Sequence, residues 1–174
     1  MRLASIHIYP LKAARAVDLD ESRVEPWGLA GDRRWLLVDE DGRFISQREE
    51  PALARVVVCC GPDCIRVSAE GRTGLVIAEP PAGAALLKVS VWSSVLLAAA
   101  AGPEPDAWFR VAKPCGRCVV TTTDQLTGER GRQPLTMLGR RRRFGQQLVF
   151  GQNLIPDAGG VIRVGDPVEI LAAA

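Results

Sequence analysis

The sequence lacks an apolar run long enough to span a membrane, and its first residues lack the apolar core of a secretory signal peptide. We therefore expect a cytoplasmic protein with no membrane partner. A strong excess of one charge is also missing, since 22 basic and 20 acidic residues leave a net charge of +2. This balance argues against nucleic acid as a partner, and the four arginines at residues 140–143 are expected to coat a solvated face.

Histidine is nearly absent, and the cysteines are odd in number. His7 is the only histidine, and the five cysteines show no spacing typical of a disulfide framework. Reduced thiols in a reducing compartment are therefore expected. A structural zinc site needs four ligands, so Cys115 and Cys118 would need help from the three cysteines near residue 60, whose spacing is poor for chelating one ion.

Short apolar segments separated by 17 glycines and 12 prolines indicate a mainly β fold. Strands are predicted at residues 2–9, 17–24, 54–58, 64–67, 75–78 and 86–92, with a hairpin at 35–46. After a Gly-Pro-Glu-Pro breaker come predicted strands at 109–112, 148–150, 161–164 and 168–171 and a short helix at 134–143. The fold class is thus a compact β-barrel at residues 1–101 merged with a smaller β segment at 106–174 and one or two short helices.

The segment Lys-Pro-Cys-Gly-Arg-Cys at residues 113–118 runs directly into β-branched residues. A strand beginning at Cys118 would place this thiol at a rigid sheet edge, after a tight turn made by Pro114 and Gly116. Arg117 would favour the thiolate of Cys118, the form that attacks or binds metal. Three other interpretations stay open: half of a zinc site, two inert buried thiols, or a thioredoxin-type pair, which would need a helix after the motif.

Six motifs occur in one order along the chain and together carry a resemblance. They are Tyr-Pro-Leu-Lys at 9–12, Gly-Asp-Arg-Arg-Trp-Leu-Leu-Val-Asp at 31–39, Ser-Gln-Arg at 46–48, the cysteine segment with Thr-Thr-Thr-Asp at 121–124, Phe-Gly-Gln-Asn at 150–153 and Val-Gly-Asp-Pro-Val at 164–168. This ordered set resembles the MOSC family with its N-terminal β-barrel domain, the group that includes the mitochondrial amidoxime-reducing components.

The resemblance implies a molybdenum cofactor (molybdopterin) held between two β-rich domains, with Cys118 as catalytic residue and metal ligand. It implies that Lys12 and Arg33 bind the pterin phosphate and that Gly116 and Arg117 belong to the cofactor site. The chemistry agrees, because a phosphate suits a Lys charge and an Arg fork, and a soft thiolate suits a thiophilic metal. The implied partners are a small N-hydroxylated substrate and a separate electron-donor protein.

The chain departs from the family pattern between its two halves. Family members carry a long central segment with further cofactor contacts, which is missing here, so residues 106–174 resemble a truncated MOSC domain. Two functions stay open. One is an oxidoreductase that takes oxygen from N-hydroxylated compounds at a molybdenum bound by Cys118. The other is a non-catalytic remnant that binds an anionic ligand or a protein partner through Lys12, Arg15, Arg33 and Arg34.

Two structural expectations follow. Arg33 and Arg34 are neighbours in a predicted strand, so side-chain alternation allows at most one of them to face a cleft. The second half is too small to close a barrel by itself. Its strands are therefore expected either to merge with the first half or to pair in a homodimer that exchanges the segment after Gly102.

Overall fold

The structure, a computed structural model, describes residues 1–82, 84 and 107–170. Strands dominate these ranges, so the prediction of a mainly β protein is confirmed. The predicted strand at 86–92 and the breaker at 102–105 lie outside the described residues. The domain boundary placed there stays a prediction.

Seven strands precede the undescribed segment, and four follow it. The first group is β1 (Ile6–Ile8), β2 (Val17–Leu19), β3 (Glu21–Glu25), β4 (Gly28–Leu29), β5 (Val57–Cys60), β6 (Cys64–Ser68) and β7 (Leu75–Ala78). The second is β8 (Trp108–Gly116), β9 (Arg143–Phe144), β10 (Gln147–Ala158) and β11 (Gly160–Arg163). The helices are α1 (Leu135–Arg141) and two 3-10 helices, Pro51–Arg55 and Val119–Thr122. No helix in the described ranges is long and apolar enough to cross a bilayer.

The strands form four antiparallel sheets, ordered β1-β2, β11-β3-β4, β5-β6-β7 and β8-β10-β9. Within the described residues these sheets do not close into one ring. β11 pairs with β3 in the register Ile162↔Ser22, so the two halves of the chain share a sheet. Nearby, Leu3 exchanges backbone hydrogen bonds of 2.9 and 2.8 Å with Asp166 and Gly165. The merged β arrangement expected from the sequence is therefore present, while the homodimer stays a prediction.

Several predicted elements differ from those observed. The strand predicted at 54–58 begins only at Val57, and residues 51–55 form a 3-10 helix. Pro51 suits the first turn of this helix, and the Glu50 side chain accepts a hydrogen bond from Ala52 N at 3.3 Å. The hairpin predicted at 35–46 is present in a shorter form, with one antiparallel bridge, Val38↔Phe44, flanked by backbone hydrogen bonds from Asp39 to Arg43 and from Ile45 to Leu37 of 2.9 and 3.0 Å. The predicted strand at 168–171 is not a strand in its described part, 168–170, where Val168 N donates to Met1 O at 3.0 Å.

A small apolar core fixes the turn that follows β1. Leu11, Ala14, Val58 and Ile65 are buried together, with Trp35 among the residues packed against them. Burying a leucine side chain contributes about 1.5–3 kcal/mol. The backbone next to Leu11 is therefore held firmly against β5 and β6, and Lys12 and Ala13 follow from a fixed point.

Candidate anion-binding cleft

The cysteine segment lies between a strand and a short helix. β8 ends at Gly116, and Cys118 precedes the 3-10 helix Val119–Thr122. The prediction of a strand beginning at Cys118 is therefore wrong. The reason is local. The hydroxyls of Thr121 and Thr122 donate to the carbonyls of Cys118 and Val119, each at 2.8 Å, and these bonds favour a tight turn over an extended chain.

This correction bears on the alternatives for the two thiols. Cys115 and Cys118 are both free and half-buried. Because a helical turn follows the motif, the objection to a thioredoxin-type pair is weakened, and that alternative stays open. A zinc site gains no support, since the described residues contain no group of three or more His, Cys, Asp or Glu side chains able to hold a metal ion.

Two segments of the first half run side by side and bring Lys12 near Arg33. Arg33 N donates to Tyr9 O at 2.9 Å, and Lys12 N donates to Trp35 O at 2.8 Å. Asp32 accepts from Tyr9 N at 2.7 Å and pairs with the Arg33 guanidinium. These bonds order the turn at residues 9–12 against the segment at 31–35.

The side chains of Arg33 and Arg34 lie in different surroundings, but not because they alternate along a strand. Neither residue lies in a strand, so the strand prediction is wrong here, and Arg33 has a φ of 52° in the left-handed region. Arg34 pairs with Glu25 and lies 5.1 Å from the centroid of the Trp27 ring. Only Arg33 of the two lines the cleft described next.

A cleft of about 450 Å³ lies between two walls contributed by the two halves of the chain. The first wall contains Tyr9, Ala13, Ala14 and Arg33, and the second contains Arg117, Val120, Thr121 and Thr123. Gln47 and Gln125 complete the lining. The described lining contains two arginines and no carboxylate, so the cleft favours an anionic ligand.

The cations of the cleft have aromatic and backbone neighbours. The Arg33 guanidinium lies 5.3 Å from the centroid of the Tyr9 ring. Arg117 donates from Nε to Phe150 O at 2.8 Å, and its guanidinium lies 5.9 Å from the centroid of that ring. Lys12 Nζ lies 4.4 Å from the centroid of the Phe44 ring.

Lys12 does not line the cleft, but its charge interacts with that of Arg33, which does. Burial and, second, the positive charge of Arg33 lower the pKa of Lys12 from its ordinary value of 10.5. Arg33 already pairs with Asp32, so its charge is partly compensated, and a bound anion would compensate the remaining repulsion with Lys12. The turn at residues 9–12 therefore places a second positive charge near Arg33, which favours an anionic ligand there.

The sequence predictions missed the residues that link the two walls. Gln47, 3% exposed, donates from Nε2 to Ala13 O at 2.8 Å. Gln125 donates to Thr123 O at 3.0 Å, and the two glutamine amides meet at 3.4–3.5 Å. Gln47 belongs to the Ser-Gln-Arg motif, but nothing in the sequence indicates that its amide is buried.

The structure brings some predicted site residues together and leaves others apart. Arg33 and Arg117 line the cleft, and Lys12 is next to it. Gly116 ends β8 opposite Val149. Cys118 lies in sequence between the lining residues Arg117 and Val120 without lining the cleft itself. The functional roles of these residues stay predictions.

A second cleft shares one wall with the first. It measures about 480 Å³ and shares Thr121 and Thr123. Two carboxylates, Asp124 and Glu129, balance two arginines, Arg130 and Arg132, in its lining. Hydrogen bonds from the backbone of Thr127 and Leu126 lower the pKa of Asp124, which keeps its carboxylate ionised. This second cleft is accordingly less suited to an anion.

The fold and the first cleft define a mainly β protein whose two halves line a cationic cleft next to a Cys-x-x-Cys segment. The family model for the MOSC N-terminal beta barrel domain matches residues 1–112, and that for the MOSC domain matches residues 66–169. The chain therefore belongs to the MOSC family, as the resemblance indicated.

Named relatives fall into two groups. Mitochondrial amidoxime-reducing component 1 of Mus musculus is 28% identical over 61% of this chain and 33% of its own length. Mitochondrial amidoxime reducing component 2 of Bos taurus is 33% identical over 43% of this chain and 24% of its own length. Molybdenum cofactor sulfurase of Danio rerio is 28% identical over 65% of this chain and 15% of its own length. The chain thus spans a third or less of these relatives.

The lowered pKa of Lys12 predicts a pH-dependent affinity for anions. An anion favours the charged amine, so binding raises the Lys12 pKa and takes up protons. Affinity is therefore full below the lowered pKa and falls as pH rises through it, by about tenfold if one charge-assisted contact is lost. Calorimetric titration with sulfate, which does not titrate between pH 7 and 10, measures this fall. Lys12→Met should bind more weakly at pH 7 and lose most of the slope; an unchanged slope contradicts the assignment.

Proposed function

We propose that the chain binds a molybdenum cofactor in the cleft and reduces N-hydroxylated compounds. The observation that carries the proposal is a cleft lined by Arg33 and Arg117 whose described lining has no carboxylate, with Lys12 close enough to interact with the charge of Arg33. Two of the relatives are amidoxime-reducing components by name, and a third acts on the molybdenum cofactor by name. Both lines of support concern an anionic cofactor.

The donors in and beside the cleft fit such a group. Lys12 and Arg33 offer charge-assisted hydrogen bonds to a phosphate, and Gly116 and Arg117 follow at the start of the second wall. Thr123 lines the cleft, and its buried hydroxyl has no hydrogen-bond partner, so this hydroxyl is available to bond a ligand. The free thiol of Cys118 is of the soft type that holds molybdenum.

We assign the residues separate roles in the reaction. Lys12 and Arg33 would anchor the phosphate, Arg117 would add positive charge, and Cys118 would hold the metal. The bound cofactor would supply two-electron oxygen-atom chemistry. Overall, the N–O bond of the substrate breaks, two protons and two electrons are consumed, and an N–H compound and water leave. The electrons come from a separate donor protein, and we propose that this takes place in the cytoplasm.

One observation favours a second candidate function. Cys118 does not line the cleft, whereas Arg33 does, so anion binding requires no metal ligand at this position. A non-catalytic protein that holds an anionic ligand or a protein partner would use the same turn at residues 9–12 and the same arginine. Arg15 and Arg34 do not line the cleft, so this candidate rests on fewer cations than the sequence indicated.

An activity assay separates the two functions. Protein purified from a host that makes the cofactor is mixed with benzamidoxime and a chemically reduced viologen dye, and dye oxidation is followed. The oxidoreductase predicts substrate-dependent oxidation that yields benzamidine and is absent in Cys118→Ser. Anion binding without turnover in the wild type would instead favour the non-catalytic candidate.

A further inference from the structure

Thr123 differs from the two threonines before it. The hydroxyls of Thr121 and Thr122 each donate to the carbonyl three residues earlier. The corresponding carbonyl for Thr123, Val120 O, accepts the backbone N–H of Thr123 at 3.1 Å but not its hydroxyl. In the part of the chain that the structure describes, Thr123 Oγ1 is the one buried side-chain polar atom without a hydrogen-bond partner.

Such an atom calls for an explanation, because a buried hydroxyl without a partner costs free energy. Thr123 is 6% exposed and lines the cleft. A change of χ1 rotamer moves the hydroxyl to another staggered position, and a ligand in the cleft that offers a partner would favour the rotamer in which it meets the oxygen. A polar group of the ligand would remove the cost of leaving this oxygen unpaired.

The position of Thr123 tells which part of the ligand it meets. Lys12 and Arg33 belong to the first half of the chain, and Thr123 belongs to the second wall, linked to the first through Gln125 and Gln47. A phosphate held by Lys12 and Arg33 leaves the remainder of its molecule extending toward the second wall. Because Lys12 and Arg33 take the phosphate, the group that meets Thr123 would be another polar part of the same molecule that forms hydrogen bonds.

We infer that Thr123 is a ligand-positioning residue whose hydroxyl hydrogen-bonds the polar ring of a phosphorylated heterocycle, while Lys12 and Arg33 hold its phosphate. This inference rests on the proposed cofactor-binding function and goes beyond it by giving the cleft two distinct poles. One pole recognises charge, and the other recognises the ring. Arg117 also adds charge on the second wall, but Thr123 offers a neutral hydroxyl, so the contact with the ring can be tested separately from the contacts with the phosphate.

Two probes and three variants make the test. Inorganic phosphate and a pterin monophosphate are titrated into wild type, Thr123→Val, Thr123→Ser and Thr122→Val. Thr123→Val should bind the pterin monophosphate about tenfold more weakly, the loss expected for one hydrogen bond, and phosphate as before. Thr123→Ser should restore binding of the pterin probe. Thr122→Val is the matched control, because Thr122 is equally buried but its hydroxyl is already paired.

Thermal unfolding without ligand adds a readout that separates binding from structure. Thr123→Val removes an unpaired hydroxyl and should not lower Tm, whereas Thr122→Val removes a paired one and should lower it. Equal affinity of wild type and Thr123→Val for the pterin probe overturns the inference. Wild type that binds phosphate but not the pterin probe overturns it too, while leaving the anion site in place. Wild type that binds neither probe contradicts the proposed function as well.

Discussion

Cys118→Ser should reduce retained molybdenum to the background of an unrelated protein, while Cys115→Ser should keep most of it. A serine hydroxyl stays protonated at neutral pH and is a hard oxygen donor, so it is a much weaker ligand than the thiolate it replaces. Cys118 stands next to residues that line the cleft, whereas Cys115 lies within β8. Metal analysis of the variants, expressed in a host that makes the cofactor, measures the difference.

The matched cysteine variant also guards against misreading a loss of fold. Both thiols are free and half-buried, so the two serine substitutions disturb packing to a similar degree. Equal loss of metal in both variants would indicate a paired site, such as zinc or a redox-active disulfide. Retention of molybdenum in Cys118→Ser would remove Cys118 from the ligand set.

Arg33→Ala should weaken anion binding by about 10- to 100-fold, the range for a lost hydrogen bond to a charged group. Arg33 lines the cleft, and its charge is close enough to lower the pKa of Lys12. The same substitution should therefore return the Lys12 pKa toward its ordinary value. Titration with phosphate at low and high salt measures both the loss and its electrostatic origin, because salt screens a partly exposed site.

Arg34→Ala provides the control for this experiment. It removes the same charge from the neighbouring residue, but Arg34 pairs with Glu25 and lies over Trp27 outside the cleft. Its affinity for phosphate should stay near that of the wild type. Equal losses in the two variants would mean that net charge, and not a defined site, attracts the anion.

Short apolar segments in the sequence were sufficient to predict the fold class, because strands such as β6 and β7 follow local patterns of apolar residues. It could not predict the pairing of β11 with β3, since that register depends on residues far apart in the chain. It also failed after Cys118, where β-branched residues suggested a strand. There, hydrogen bonds from two threonine hydroxyls to the backbone outweigh β propensity.

The candidate site was predictable in its charges and not in its polar lining. Lys12 and Arg33 were found through motifs that resemble a family, and the structure places them close together. Gln47 and Thr123 could not be found, because their burial depends on how the two halves meet. An unpaired hydroxyl can be recognised only when its neighbours in space are known.

The central claim is that this cleft holds an anionic molybdenum cofactor. Its most direct test is the molybdenum content per chain of wild-type protein purified from a host that makes the cofactor, with Arg33→Ala and an unrelated protein prepared in parallel. We predict that the wild type carries a stoichiometric amount of molybdenum and that Arg33→Ala, which lacks the phosphate contact, carries far less. Wild-type protein with no more molybdenum than the unrelated protein would contradict the claim.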